Sequence, residues 1–129
     1  QVLIYPVTDN SMTTTSMKSF TDTPLWNAKN NQRMWKMYLK NATAQQEQIA
    51  VPMKNPLPEV LPPTYIETAE FDCLHDEAIL YAEKIKNHTT ELQINETKGT
   101  FHGYDMLSSH PISKNSVAKR IAFMKKWMD

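Results

Sequence analysis

At 129 residues the chain is long enough for one domain with a modest core. Its 14 basic and 14 acidic residues cancel, which excludes a global field that would recruit nucleic acid or an anionic membrane surface. No apolar run approaches the ~20 residues of a membrane span, and a single cysteine, Cys73, excludes a disulfide framework and favours a reducing compartment such as the cytoplasm.

The first five residues, Gln1 to Tyr5, form an apolar run stopped by Pro6, as in a strand buried on both faces. Asp9 to Asp22 is rich in Ser, Thr and Met and reads as loop. Thr23-Pro24 has the form of an N-cap followed by proline at the first helical position. The predicted helix then runs over Leu25–Leu39 and carries Trp26, Met34, Trp35, Met37 and Tyr38. Five prolines between Ala50 and Pro63 give an extended connection. Thr64–Ala69 is a second strand ending at Glu70-Phe71-Asp72. Asp76 and Glu77 place negative charge at the start of a helix, where its dipole favours them. Ala78, Ile79, Ala82 and Ile85 supply the apolar face of that helix. Glu91–Glu96 alternates and suits a strand near the sheet edge. Val117, Ile121, Met124 and Met128 recur at helical spacing and predict a final amphipathic helix, with Lys119, Arg120, Lys125 and Lys126 on its solvated side. Strand alternating with helix implies an α/β fold with about three parallel strands, flanking helices and right-handed crossovers.

The chemistry concentrates at Asp72 and His102. An acid just past the carboxyl end of a parallel strand lies where ligands bind in open α/β sheets. Taken alone, such an acid is more often a loop or cap residue. His102 sits on a loop between Gly99 and Gly103, where an imidazole can project into a cleft. The order Asp…His is the second half of a Ser…Asp…His triad. The first half is missing, because no serine lies in a Gly-x-Ser-x-Gly context. Glu70, near the strand body, and Asp76, at the helix start, are the rival acids. His75 opens a helix, His88 closes one, and His110 precedes Pro111 in a loop.

Leu3-Ile4-Tyr5-Pro6-Val7, Leu61-Pro62-Pro63-Thr64, Ala69-Glu70-Phe71-Asp72-x-Leu74-x-Asp76-Glu77 and His102-Gly103-Tyr104 occur in this order along the chain. In order and spacing they resemble the hormone-sensitive-lipase-like esterases of the α/β-hydrolase fold. The resemblance implies that Asp72, from the Asp-Pro-Leu motif, and His102, from the His-Gly-Phe motif, are the acid and base of a triad. Cys73 stands where that family has proline, His75 where arginine is frequent, and Tyr104 where phenylalanine is usual. None of the three removes a triad atom.

The resemblance further implies a carboxylic ester hydrolase working through an acyl-enzyme on a small-molecule ester. It makes residues 1–129 the C-terminal part of one α/β-hydrolase domain, with 9–50 contributing loop and helix to a cap. The nucleophile and the oxyanion-binding loop then lie upstream, and the chain alone is expected to be inactive. Trp26, Met34, Trp35, Met37, Tyr38 and Tyr104 are candidate pocket residues, although spacing alone favours ordinary core packing. No cofactor or metal is implied, since no His/Cys/carboxylate group has ligand spacing and no glycine loop could cradle a phosphate. The expected partners are the ester and, through an open edge at Gln1–Tyr5, a second copy or the N-terminal part. Neither nucleic acid nor stable membrane insertion is expected. A non-catalytic small-molecule receptor on the same fold is the alternative, and retention of both Asp72 and His102 weighs against it. A complete small interaction module is a third, weaker reading.

Overall fold

The structure, a computed structural model, describes residues 1–128. Three parallel strands, β1 (Val2–Ile4), β2 (Thr64–Ala69) and β3 (Leu92–Thr97), lie in the order β1-β2-β3. Leu3 pairs with Ile66, and Ile66 with Ile94, so the carboxyl ends of all three strands share one edge. The β1–β2 connection holds three helices: α1 (Thr15–Ser19), α2 (Ala28–Tyr38) and α3 (Ala44–Ala50). Helix α4 (His75–Ile85) links β2 to β3. A single 3₁₀ turn at Tyr104–Met106 leads into α5 (Pro111–Lys126).

Helices on both faces of a parallel sheet bury its middle strand completely, and all six residues of β2 are buried. Ile66 packs with Ala78, Ala82 and Ile85 of α4, where the two alanines let the helix approach closely. At the carboxyl edge a second cluster joins Tyr5, Met17, Ala28, Ala69, Cys73, Leu74 and Tyr104. That cluster forms the floor beneath the Asp72 and His102 loops.

The sequence expectations fail at several particular places. The segment 9–22 is not wholly loop: Thr14 caps α1 by accepting the Met17 N–H, a short-range signal masked by the polar composition. Helix α2 starts three residues later than predicted. Thr23-Pro24 forms a turn instead, with Trp26 N–H donating to the Pro24 carbonyl and Thr23 Oγ1 donating to the Trp26 carbonyl. The N-cap is Asn27, whose side chain accepts the Asn30 N–H at 3.0 Å. Helix α3 was not anticipated, although Thr43 and Gln46 make a reciprocal capping box. Strand β1 is half-buried rather than enclosed on both faces, because among the described residues it pairs only with β2.

The largest reversal concerns α5. Val117, Ile121, Met124 and Met128 are 40%, 43%, 38% and 79% exposed, and the face turned to the sheet carries Ser113, Ser116, Arg120 and Phe123. Glu67, an acid in the middle of β2, explains the choice. Its side chain is wholly buried, and Arg120 is drawn inward to pair with it. Arg120 therefore does not belong to the solvated side, and Lys119 reaches back to donate to Asn95.

Candidate functional site

Two loops at the carboxyl edge are tied together by backbone hydrogen bonds. Glu70 N–H donates to the Thr97 carbonyl at 3.1 Å, and Phe71 N–H to the Thr100 carbonyl at 2.8 Å. This splice brings the acid loop after β2 against the histidine loop after β3. Asp72 Oδ2 lies 2.8 Å from His102 Nδ1. Its other oxygen accepts the Leu74 N–H at 3.0 Å, which fixes the plane of the carboxylate. The Asp72 side chain is 1% exposed and that of His102 24%. The bridge is thus shielded while one edge of the ring meets solvent. A carboxylate oxygen can only accept here, so Nδ1 carries the proton and Nε2 offers a lone pair outward.

Gly103 makes the turn after His102 possible. Its φ is +74°, and an added Cβ would sit 3.1 Å from Leu25 Cδ1. The residue therefore supplies both a left-handed conformation and room for Leu25, in the turn that precedes α2.

Two aromatic rings neighbour the imidazole. Tyr5 lies 4.9 Å away, centroid to centroid, and Trp26 5.9 Å away. Tyr5 adopts φ 48°, a left-handed conformation costing roughly 1–2 kcal/mol in a non-glycine residue. That twist, just past β1, turns its ring toward His102. Its hydroxyl donates to Asp105 at 3.1 Å, and Asp105 also accepts from Arg120 Nη1 at 2.7 Å. Arg120 in turn pairs with Glu67, which accepts from Tyr65, Tyr104 and Asn95 as well. Burial pushes the Glu67 carboxyl up, yet these donors together hold it below its ordinary value. A satisfied polar network thus runs from the buried middle of β2 to the ring beside His102.

A second brace secures the acid loop to the segment after β1. Ser16 N–H donates to Asp76 at 2.8 Å, and Ser16 Oγ to the Cys73 carbonyl at 2.9 Å. Glu77, 1% exposed, accepts the Thr8 and Asp9 N–H groups at 2.7 and 3.2 Å. Burial pushes its carboxyl up to about 7 from an ordinary 4.5, against the pull of those two donors. Between these values the unfolded chain has lost a proton that the folded chain keeps, so stability falls as pH rises through that window. Asp76, Asp105 and Glu67 are held low and act oppositely, losing stability as pH falls below the usual carboxylate range. Melting temperature is expected to peak near pH ~5 and decline toward pH ~7. Glu77→Gln should flatten the decline; an unchanged decline in that variant would assign it to another group.

The predicted pocket residues divide. Trp26, Met34, Met37 and Tyr38 line an open groove of about 580 Å³ with Asn30 and Arg33. Trp35 does not reach it: the ring is buried on the inner face of α2. Tyr104 is also core, its hydroxyl donating to Glu67 at 2.9 Å and lying 2.6 Å from the Ser116 hydroxyl, which can donate to it. Of the rival acids, Glu70 accepts the Gly99 N–H and Asp76 contacts Ser16 and His75. His110 is the N-cap of α5 rather than a plain loop residue, and His88 contacts the Pro58 carbonyl. Cys73 is buried, and burial followed by the Asp72 charge pushes its thiol up to about 12, which leaves no thiolate for nucleophilic work. A groove of about 450 Å³ beside His75 and Leu80 touches neither Asp72 nor His102. Among the described residues no three His, Cys, Asp or Glu side chains gather as metal ligands, and no helix is long and apolar enough to cross a membrane.

Sequence reasoning missed Tyr5, Glu67, Glu77 and Arg120 as supports of the site. The available signal was an acid in the middle of a buried strand, which demands a partner.

Comparison with known proteins bears on the fold and the family. The family model described as alpha/beta hydrolase fold matches residues 1–106. A putative alpha/beta hydrolase, R526 of Acanthamoeba polyphaga mimivirus, is 27% identical over 125 residues, 92% of this chain and 34% of that protein. Neutral cholesterol ester hydrolase 1 of Bos taurus is 33% identical over 70 residues, 54% of this chain and 17% of its own length. Among solved structures, a bacterial heroin esterase superposes with TM-score 0.88 at 31% identity, over 98% of this chain and 41% of its own. Esterase LipW of Mycobacterium marinum gives TM-score 0.88 at 26% identity, over 100% of this chain and 41% of its own. The chain thus spans well under half of each of these relatives. Three parallel strands with flanking helices, the family match over 1–106 and the esterase likenesses together place the chain in the α/β-hydrolase esterase family.

Proposed function

We propose that this chain carries the acid and base of a serine carboxylic ester hydrolase. The single observation behind this reading is the 2.8 Å contact between Asp72 Oδ2 and His102 Nδ1 at the carboxyl edge of the sheet. The serine would come from chain outside these 129 residues, which contain no Gly-x-Ser-x-Gly. His102 Nε2 takes the proton of that serine as its oxygen attacks the ester carbonyl. Backbone N–H groups supplied with the serine hold the oxyanion. The imidazolium, steadied by Asp72, then returns the proton to the departing alcohol and leaves an acyl-enzyme. Water, deprotonated by His102, releases the acid. Residues 9–50 contribute α2 to a cap over this site, with Trp26 as its contact to the imidazole.

The purified chain should give no turnover of 4-nitrophenyl butyrate, whereas a longer protein carrying the nucleophile elbow should hydrolyse it and lose that activity on His102→Ala. Serine-dependent turnover by the 129 residues alone would overturn the division of the triad. The same reading gives the open edge of β1 a strand partner, either a second copy or the remainder of the protein. The chain alone should therefore self-associate by light scattering, and a monomer at high concentration would count against that pairing.

A further inference from the structure

We propose that the groove along α2 receives the apolar arm of an ester whose far end is a carboxylate, with Arg33 as its anion-pairing group. The inference deepens the hydrolase reading, from which it takes the position of the chemistry, while the binding it describes stands apart from the triad.

Asn30, Arg33, Met34, Met37 and Tyr38 recur three and four residues apart, so they share one face of α2, and Trp26 closes the groove at the amino end. Trp26 is also the ring lying 5.9 Å from His102, so one side chain belongs to both the groove and the imidazole's surroundings. Met37 and Tyr38 are 76% and 63% exposed, an apolar face without cover among the described residues. Methionine beside flat aromatic rings suits a flexible hydrocarbon arm.

Charge then selects the end group. The whole chain is neutral, yet between Asp22 and Glu47 it carries Lys29, Arg33, Lys36 and Lys40 and not one acid. Arg33 lies in the groove itself and forms no ion pair with a carboxylate among the described residues. A planar guanidinium beside an apolar trough matches a carboxylate at the end of a hydrocarbon arm, which it can grip through two parallel N–H donors.

The test uses the purified chain with ¹³C-labelled methionine methyl groups, titrated with monomethyl suberate and with methyl octanoate. The two esters share an arm and differ in the terminal carboxylate. Both should shift the Met34 and Met37 methyl signals, and the suberate should bind about threefold to fivefold more tightly at low salt. Arg33→Gln should erase that preference while leaving the octanoate affinity within about twofold, and high salt should shrink it in the parent chain. Lys36→Gln, outside the groove, should keep the preference. Equal affinities, a preference that survives Arg33→Gln, one lost equally in Lys36→Gln, or methyl signals at Met34 and Met37 that do not move would each overturn the proposal. Failure of the triad reading would show instead as turnover indifferent to His102→Ala, with this titration unaffected.

Discussion

Replacing Asp72 with asparagine in the protein that carries the nucleophile is expected to lower kcat by about four orders of magnitude with little change in KM. The substitution is mild for the fold. The side-chain oxygen that accepts the Leu74 N–H at 3.0 Å is retained, so the acid loop keeps its shape. What changes is the group facing His102 Nδ1. An amide can present its NH₂ there, which favours the tautomer with the proton on Nε2 and removes the lone pair that must take the serine proton. A drop of less than tenfold in kcat would mean that another acid orients the ring. Neither Glu70 nor Asp76 is placed to do so, since each is engaged with other partners.

Arg120→Met is expected to be the most damaging single change to stability, costing about 3–5 kcal/mol in denaturant unfolding. The reason is what it leaves behind. The Glu67 side chain is 0% exposed, and without the guanidinium its charge would depend on Tyr65, Tyr104 and Asn95 alone. The loss also frees Asp105, so the hydroxyl of Tyr5 would have a mobile acceptor and its ring would press less firmly on His102. Adding Glu67→Gln should recover most of the loss, because a neutral amide can keep hydrogen bonds to the tyrosines without stranding a charge. A double variant no more stable than Arg120→Met alone would show that the guanidinium matters through packing rather than charge.

The fold around the candidate site was legible because it rests on period and order. Thr64–Ala69 is apolar and β-branched enough to specify a buried strand, and Asp72 follows it closely enough to sit at the sheet's carboxyl edge. His102 stood out among the histidines because it sits among small residues on a loop after a strand. The misreadings share a different physics. The apolar stripe Val117, Ile121, Met124, Met128 satisfies helical periodicity but loses to Ser113, Ser116 and Arg120, because the buried Glu67 on a neighbouring strand fixes which face of α5 turns inward. No property of residues 111–126 taken alone carries that information. Trp35 and Tyr104 were grouped with pocket residues by type. Their burial follows from the phase of α2 and from a hydrogen bond to Glu67, both set by tertiary packing. The cap start failed for a local reason, since Thr23-Pro24 fits a helix N-terminus but also a turn, and Asn27 is the stronger cap.

Tyr5 holds an unfavourable backbone conformation beside the candidate base, and the Asp105–Arg120–Glu67 network keeps it there. The sequence Tyr5-Pro6 at the end of an apolar run hinted at a strand terminus, though not at a ring turned back over another loop.

If the pair works as proposed, Asp72 holds the His102 ring with its proton on Nδ1 and its lone pair on Nε2. Nitrogen-15 NMR of the histidine rings in the purified chain reads this directly. Neutral His102 is expected to carry its proton on Nδ1, in a strongly deshielded hydrogen bond that Asp72→Asn abolishes. A neutral ring protonated on Nε2, or a signal indifferent to Asp72→Asn, would contradict it.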